Sequence, residues 1–452
     1  METITRARME EKLMSQIGRS KSNLNVDPKV IHDLIQAIED QKDSLVKLIL
    51  DLVSINSLLG NEDHAQNFIE EQFRSRSLAI DRFGINHDEL KKYPGYSPSI
   101  GDWENHENIV GIFKPEKPKG RSLILNGHID VVPVGDERLW TNPPFEPTIK
   151  DGHLYGRGSG DMKAGIAAFI VAFDSFKKIG LEPAADIFLQ SVVEEECTGN
   201  GALACLQRGY KAQAAIIPEP FNETIMSAQV GVLWLNMEVF GKPSHVLNAN
   251  HGTNAIEGAF VLWQHLKSLC EDWNNKKNRP AAFSNSEDPI KFNLGIIEGG
   301  EWASSLATRC QMNLRIGFFP GIHTEDVIKS IEKNITQTIQ NNPELSDLKV
   351  NLLYGGFQSQ GCLVDLESDF VKTLSKCHTS ITNAEPDFFA SAATTDARTF
   401  NLYGDTPATC YGPKARNIHG IDECVSINSV IKISQVIAVF IAEWCLFNRL
   451  SK

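Results

Sequence analysis

The chain has 452 residues, 42% hydrophobic and 22% charged, which is the balance of a folded protein; wholesale disorder and a fibrous repeat are excluded, and two or three domains are expected. Lys and Arg number 44 against 57 Asp and Glu, and the net charge of −13 disfavours nucleic acid and anionic membrane surfaces as partners. No uninterrupted apolar run approaches the ~18–20 residues of a membrane span. The start METITRARMEEKLM is acidic where a secretory apolar region would lie, and the nine cysteines include no C-x-x-C pair, so a cytoplasmic protein without a disulfide framework is expected.

After Pro28, apolar residues from Val30 to Leu52 recur at helical spacing, predicting helices up to about residue 57 behind an N-terminal arm of about 1–30. Between 108 and about 220, strand-like runs alternate with helices. NIVGIF, SLILNGHIDVV, a helix over 164–179, DIFLQSVVEEE, a helix over 201–208 and AAIIPEP give the rhythm of a sheet with helices on its faces. The pattern then changes to VLWLNMEVFG (strand), NAIEGAFVLWQHLKSL (helix), KFNLGIIEGG and TRCQMNLRIGF (strands), EDVIKSIEKNITQTI (helix) and LKVNLLYGG (strand). That order, β-α-β-β-α-β, is the ferredoxin-like split unit. The expected organisation is one α/β domain in two parts, 1–228 and 356–452, interrupted by an inserted unit at 229–355 and closed by a long apolar helix over 427–446.

Polar residues collect where the apolar strands end. LILNGHIDVVP stops at His128, with Asp130 two residues on and on the same face, where its carboxylate can accept the imidazole N–H; a solvated strand end is the competing reading. GRGSGDMKAGIAAF is a glycine-rich turn entering a helix. A dinucleotide fingerprint meets Asp161 or Lys163 where its last glycine belongs, and a P-loop needs Lys where Ile166 stands. The glycines therefore either let Asp161 approach something closely or precede an Asp161 that caps the helix. SVVEEECTGNGA sets Glu194, Glu195 and Glu196 after a buried strand, where their repulsion is costly unless cations neutralise it; a solvated charge run is the alternative. IIPEP adds Glu219 and NIHGIDECV adds His419. Carboxylates and imidazoles on rigid strand ends are the donor types of a metal site.

In this order NGHIDVVP, GRGSGDMKAG, VVEEECTGNGA, IIPEP and GPKARNIHGIDE resemble the motifs of the co-catalytic zinc amidohydrolases and peptidases, among them acetylornithine deacetylase, succinyl-diaminopimelate desuccinylase, aminoacylase and the glutamate-releasing carboxypeptidases. The resemblance runs from about residue 30 to the end. It implies an α/β fold: a zinc-peptidase-like catalytic domain with a central mixed sheet and helices on both faces, carrying an inserted ferredoxin-like α+β lid and dimerisation domain. It also implies two divalent metal ions per chain, Zn2+ or alternatively Co2+, with His128 and Glu219 on one, Glu196 and His419 on the other, and Asp161 bridging. Glu195 would be the general base. Three successive glutamates leave the register open by one, and 195 as base with 196 as ligand follows the Asp-Glu-Glu of family members. Such ions bring the pKa of a shared water to around 7 and polarise the scissile carbonyl, while Glu195 moves the water proton to the leaving amine.

Within the inserted unit, GKPSHVLNANHGTNAIEG resembles the family segment whose histidine reaches the neighbouring subunit's site and bonds the oxyanion. That implies a role for His245 and a homodimer through this unit, with His251 as a nearby competitor and a plain surface histidine as the alternative. Asn254 would hold the same substrate end. Arg315 matches the Arg of the family's D-x-R strand and would clamp a substrate carboxylate, although Asn313 stands where Asp is usual. The expected activity is hydrolysis of a linear amide in an N-acyl amino acid or short peptide, most like acetylornithine deacetylase. Desuccinylase, dipeptidase or carboxypeptidase activity are alternatives within the class, and a non-catalytic binding protein is the alternative outside it.

Overall fold

The computed structural model describes residues 24–101 and 106–450, so most of the expected N-terminal arm lies outside the described residues. Helices α1 (Pro28–Glu39) and α2 (Lys42–Ser54) form where the apolar periodicity places them, and Pro28 opens the first behind an Asp27 side-chain cap.

Strands β1 (Ala79–Gly84), β2 (Glu107–Phe113) and β3 (Leu123–His128) precede α3 (Ala164–Lys178), and β4 (Ile187–Val192) precedes α4 (Asn200–Gln207) and β5 (Ala215–Ile217). With a late strand introduced below they make a six-stranded mixed sheet. β3 lies between β4 and β5 and runs parallel to both. A strand so placed is covered on both faces, which is why LILNGH is buried throughout instead of alternating. α3 is apolar almost all round for the same reason: it packs against the N-terminal helices, β3 and the final helix.

The chain next builds the second unit: β6 (Gly231–Phe240), α5 (Ala255–Trp273), β7 (Phe292–Gly299), β8 (Arg309–Phe318), α6 (Thr324–Asn341) and β9 (Lys349–Leu353). The sheet order is β7-β8-β6-β9 and every pairing is antiparallel, as the ferredoxin-like order requires. Leu233, Leu235, Met237 and Val239 alternate on one face of β6 and join Met312, Leu314, α5 and α6 in a core separate from that of the first unit. The edge strand β7 leaves Ile296 and Ile297 exposed.

The chain returns to the first sheet through β10 (Ala408–Cys410), parallel to β5, and ends in α7 (Ile427–Trp444). α7 has the length and mean hydropathy, 1.4, of a membrane span, yet 83% of it is buried inside the protein, chiefly against α3 and the helix Asp369–Thr382. A small four-stranded sheet, not foreseen from the sequence, pairs Cys424–Ser426 with His153–Tyr155, Cys424 facing Tyr155. Three-residue strands are too short to leave a periodic signal. That pairing brings the segment after Tyr155 beside the segment before Cys424.

Candidate metal centre

His128 is the last residue of β3, Glu194 to Glu196 follow β4, and Glu219 lies two residues beyond β5. All three strands run parallel, so their carboxyl ends open on one crevice, where α/β sheets place their ligands. Asp161 enters from the start of α3. That helix comes close because residue 165 is glycine: a Cβ there would lie 2.4 Å from the Pro218 carbonyl oxygen, next to Glu219. His419 arrives on the loop before Cys424.

The donors converge. His128 Nε2 lies 3.1 Å from Asp161 Oδ1, 3.8 Å from Glu219 Oε1 and 4.0 Å from Glu195 Oε2. His419 Nε2 lies 3.1 Å from Glu196 Oε1 and 3.3 Å from Asp161 Oδ2. Among the described residues, ligand atoms of His128, Asp161 and Glu219 lie within 4.8 Å of one another, as do those of Asp161, Glu196 and His419; Asp161 belongs to both sets. A third set, His128, Glu195 and Glu196, satisfies the same limit. Two imidazoles and three or four carboxylates in overlapping triads fit a pair of divalent ions in number and type.

The protonation of these groups reflects that crowding. Burial pushes the Glu195 and Glu219 carboxyls well above the usual range, helped by the charges of Asp396 and Asp161 respectively. Burial opposes a charge on His128, but Asp161, Glu219 and Glu195 outweigh it and raise its pKa well above ordinary. Glu196, and then Asp161, push His419 up to about 11. Asp161 is lowered: burial works against its charge, and the hydrogen bonds from His128 and His419 win. Without a cation the site neutralises itself with protons, the condition that divalent ions relieve.

Asp130 does not do what its spacing suggested. The Nδ1 of His128 is 2.9 Å from the backbone oxygen of Asp130, and the carboxylate is 3.8 Å away. The ring therefore meets the carbonyl and not the carboxylate. Its orientation is still fixed, with Nε2 directed toward Asp161 and Glu219. The freed carboxylate accepts the N–H groups of Glu195 (3.3 Å) and Glu196 (3.0 Å) and so holds their turn. Buried completely, its pKa is pushed up to about 7. The helix-cap alternative for Asp161 also falls, since no side chain caps α3.

Glu194 leaves the cluster. With a φ of +61° it turns into the protein, where Thr198 and Asn200 donate to its Oε2 and His87 and His106 face its Oε1. Of the residues expected on the second unit, neither His245 nor Asn254 shares a hydrogen bond or ion pair with the cluster among the described residues. His245 is exposed, its Nδ1 accepting the Leu247 N–H, and His251 is exposed as well. Asn254 caps α5, its Oδ1 accepting from Ile256 N–H. Arg315 donates to the carbonyls of Ala392 (2.7 Å) and Lys291 (3.3 Å), with no carboxylate partner among the described residues.

Sequence reasoning missed five buried charged groups around the centre. Lys163 holds the carbonyls of Leu52 and Ile55 behind the Asp161 turn. Arg157 pairs with Glu423. Arg398 spans from Thr394 and Thr395 to the Thr198 carbonyl. Asp396 is fully buried, and neither of its carboxylate oxygens has a hydrogen-bond partner among the described residues. The TTDAR segment carrying the last two has charges flanking a small residue, a signal too common to single out.

The profile described as Peptidase family M20/M25/M40 matches residues 124–443. Among curated proteins the chain is 29% identical over 440 residues to the N-formyl-4-amino-5-aminomethyl-2-methylpyrimidine deformylase of Halalkalibacterium halodurans, covering 93% of this chain and 99% of that protein. It is 27% identical over 335 residues to the succinyl-diaminopimelate desuccinylase of Marinobacter nauticus, covering 72% and 84% respectively. Among solved structures, a di-peptidase of Saccharomyces cerevisiae shares the fold, with a TM-score of 0.74 at 14% identity, covering 92% of this chain and 98% of that one.

Proposed function

Because the chain belongs to peptidase family M20/M25/M40 and is a metal-dependent amide hydrolase, we propose that it is a dinuclear deacylase that frees a small molecule's amine from a short acyl group. The observation that carries this reading is the pair of donor sets joined by Asp161, with Glu195 beside them. His128 and Glu219 would hold one ion, Glu196 and His419 the other, and Asp161 both. Zinc is our choice for these nitrogen and oxygen donors, with cobalt as the alternative. When bound, the ions supply Lewis acidity and a water that ionises near neutral pH.

The chain's own part is proton handling and orientation. Glu195 Oε1 is buried without a hydrogen-bond partner among the described residues, free to take a proton. As general base it would take the proton of the water and pass it to the departing amine. Asp130 fixes the direction of Glu195 and Glu196 through their backbone N–H groups.

The relatives bear on the acyl group. Those compared are named for removing formyl and succinyl groups, and nothing in them favours acetylornithine. A formylated amine is therefore the first substrate to try, with acetyl and succinyl amides and dipeptides beside it. Turnover of any of these, abolished by a chelator and restored by zinc, supports the reading. Full activity in metal-free protein would overturn it.

We assign His245 to the site of a partner subunit in a homodimer formed through the second unit. Because Nδ1 accepts the Leu247 N–H, the neutral ring carries its proton on Nε2, the donor an oxyanion needs. The exposed Ile296 and Ile297 on the edge strand β7 support such a contact. Arg315 uses two of its five donors on backbone carbonyls, leaving others for a substrate carboxylate, and the amide nitrogen of Asn254 is left for the same end. Mixing His245→Ala with Glu195→Gln subunits should restore partial activity; none despite proven subunit exchange would place His245 outside the reaction. The cysteines are all free, which fits a reducing compartment, and we place the enzyme in the cytoplasm.

A further inference from the structure

The Arg157–Glu423 pair plays no part in the proposed chemistry, and both side chains are 1% exposed. Taking two charges out of water is costly unless good geometry offsets it. Here Glu423 Oε2 accepts from Arg157 Nη1 at 2.5 Å and from the Gly158 N–H at 3.1 Å. Its Oε1 accepts from the N–H groups of Gly160 and Asp161 at 2.9 and 3.1 Å. Arg157 Nη2 donates to Gly420 O at 3.2 Å and to Pro133 O at 3.3 Å. One ion pair thus fastens the loop of Asp161, the loop of His419 and the segment after Asp130.

His419 lies outside any helix or strand, and Asp161 sits in a short turn, Ser159–Lys163, whose backbone is non-helical at Asp161 and Met162. His419 sits at φ +61°, with Asn417 and Asp422 at +55°, conformations that non-glycine residues keep only when their surroundings dictate it. The loops also touch directly: a Cβ on Gly160 would lie 2.7 Å from the Ala415 Cβ. Asp161 Oδ2 and His419 Nε2 are left 3.3 Å apart.

We infer that Arg157 and Glu423 are positioning residues for the second ion, a latch that sets Asp161 against His419 so that both face one cation. The inference rests on the dinuclear reading above. It concerns the His419 position, because His128 and Glu219 are held by β3 and β5.

Zinc titration of the metal-free full-length protein by calorimetry provides one test. Wild type should take two ions, whereas Glu423→Gln should keep the first at wild-type affinity and bind the second ~10–100-fold more weakly, the usual effect of losing an outer partner. Unchanged affinity for both ions overturns the latch. Amide hydrogen exchange of the metal-free proteins tests it without any ion. Glu423→Gln should speed exchange over 156–163 and 414–424 together while peptides of β6 to β9 keep their wild-type rates; protection equal to wild type in the two loops overturns it. Arg157→Gln leaves the three backbone donors of Glu423 in place and should give a milder form of both effects if Glu423→Gln does not fold. A wild type that binds fewer than two ions would refute the dinuclear reading, and the exchange result would then decide the latch by itself.

Discussion

The two halves of the centre are built differently. His128 ends a strand buried on both faces and its side chain is 1% exposed, whereas the His419 side chain is 53% exposed on a loop with left-handed residues. The first half is rigid because the sheet is rigid. The second depends on a buried ion pair and a three-residue strand. The difference teaches that two ions bound by similar donors need not be bound equally well, since the backbone beneath them decides how much ordering each has to impose.

Glu195→Gln asks whether the halves share one base. It should leave both ions bound and lower kcat by ~10²–10⁴-fold, read from metal analysis and turnover on the best substrate of the acyl screen. Near-normal turnover would move the role to a neighbouring glutamate.

Removing each histidine tests the asymmetry itself. His419→Ala should lose one ion and change the unfolding free energy of metal-free protein by less than ~1 kcal/mol, because that side chain is half in water. His128→Ala should cost ~1–3 kcal/mol as well as its ion, because buried carboxylates lose their partner. Equal costs in denaturant unfolding would erase the distinction drawn here.

Asp396 sharpens the contrast from the buried side. Burial pushes its carboxyl from 3.8 up to about 6, with Arg398 pulling the other way. The folded state thus holds this proton more tightly than the unfolded chain. The associated stability is full below about pH 4 and is lost as pH rises to about 6. Asp396→Asn cannot ionise, so metal-free variant and wild type should match near pH 4 and differ by on the order of 3 kcal/mol in the variant's favour above pH 6. No gain at pH 7 would mean that the carboxylate has a partner in solution.

The smallest effect is a slope. His419 is pushed up to about 11 and His128 well above its ordinary value, so both rings carry protons at pH 7 in metal-free protein. An ion needs the bare nitrogen, so loading should release protons and weaken as pH falls, about tenfold per unit for each proton displaced. Calorimetry in two buffers of different ionisation enthalpy counts those protons. A count of zero would mean that the rings are already neutral.

Much of this was legible in the chain because strand ends carry their own signature. An apolar run closed by His128, by Glu194 to Glu196, or by Pro218 and Glu219 marks both the sheet and the crevice at its carboxyl end. The ferredoxin-like unit was legible from period alone: Leu233 to Val239 alternate, and the helices around them do not. What could not be read were contacts between segments far apart in sequence. Nothing local to Glu423 announces that it will accept N–H groups from Gly158, Gly160 and Asp161, and nothing near Asp130 says that its carbonyl, not its carboxylate, will meet His128. Buried charge is likewise invisible, since Lys163 and Asp396 read as ordinary surface residues until the fold covers them.

The pairing of Cys424 with Tyr155 also sets an order of events during synthesis. A ribosome that has delivered every residue through β10 has supplied His128, Asp161, both glutamates of the crevice turn and Glu219, yet neither the loop histidine nor its acidic anchor. A nascent chain at that stage can offer a foothold to a single cation. On the dinuclear reading, the second has its donors only once the segment carrying His419 and Glu423 has been made and has paired with the older strand.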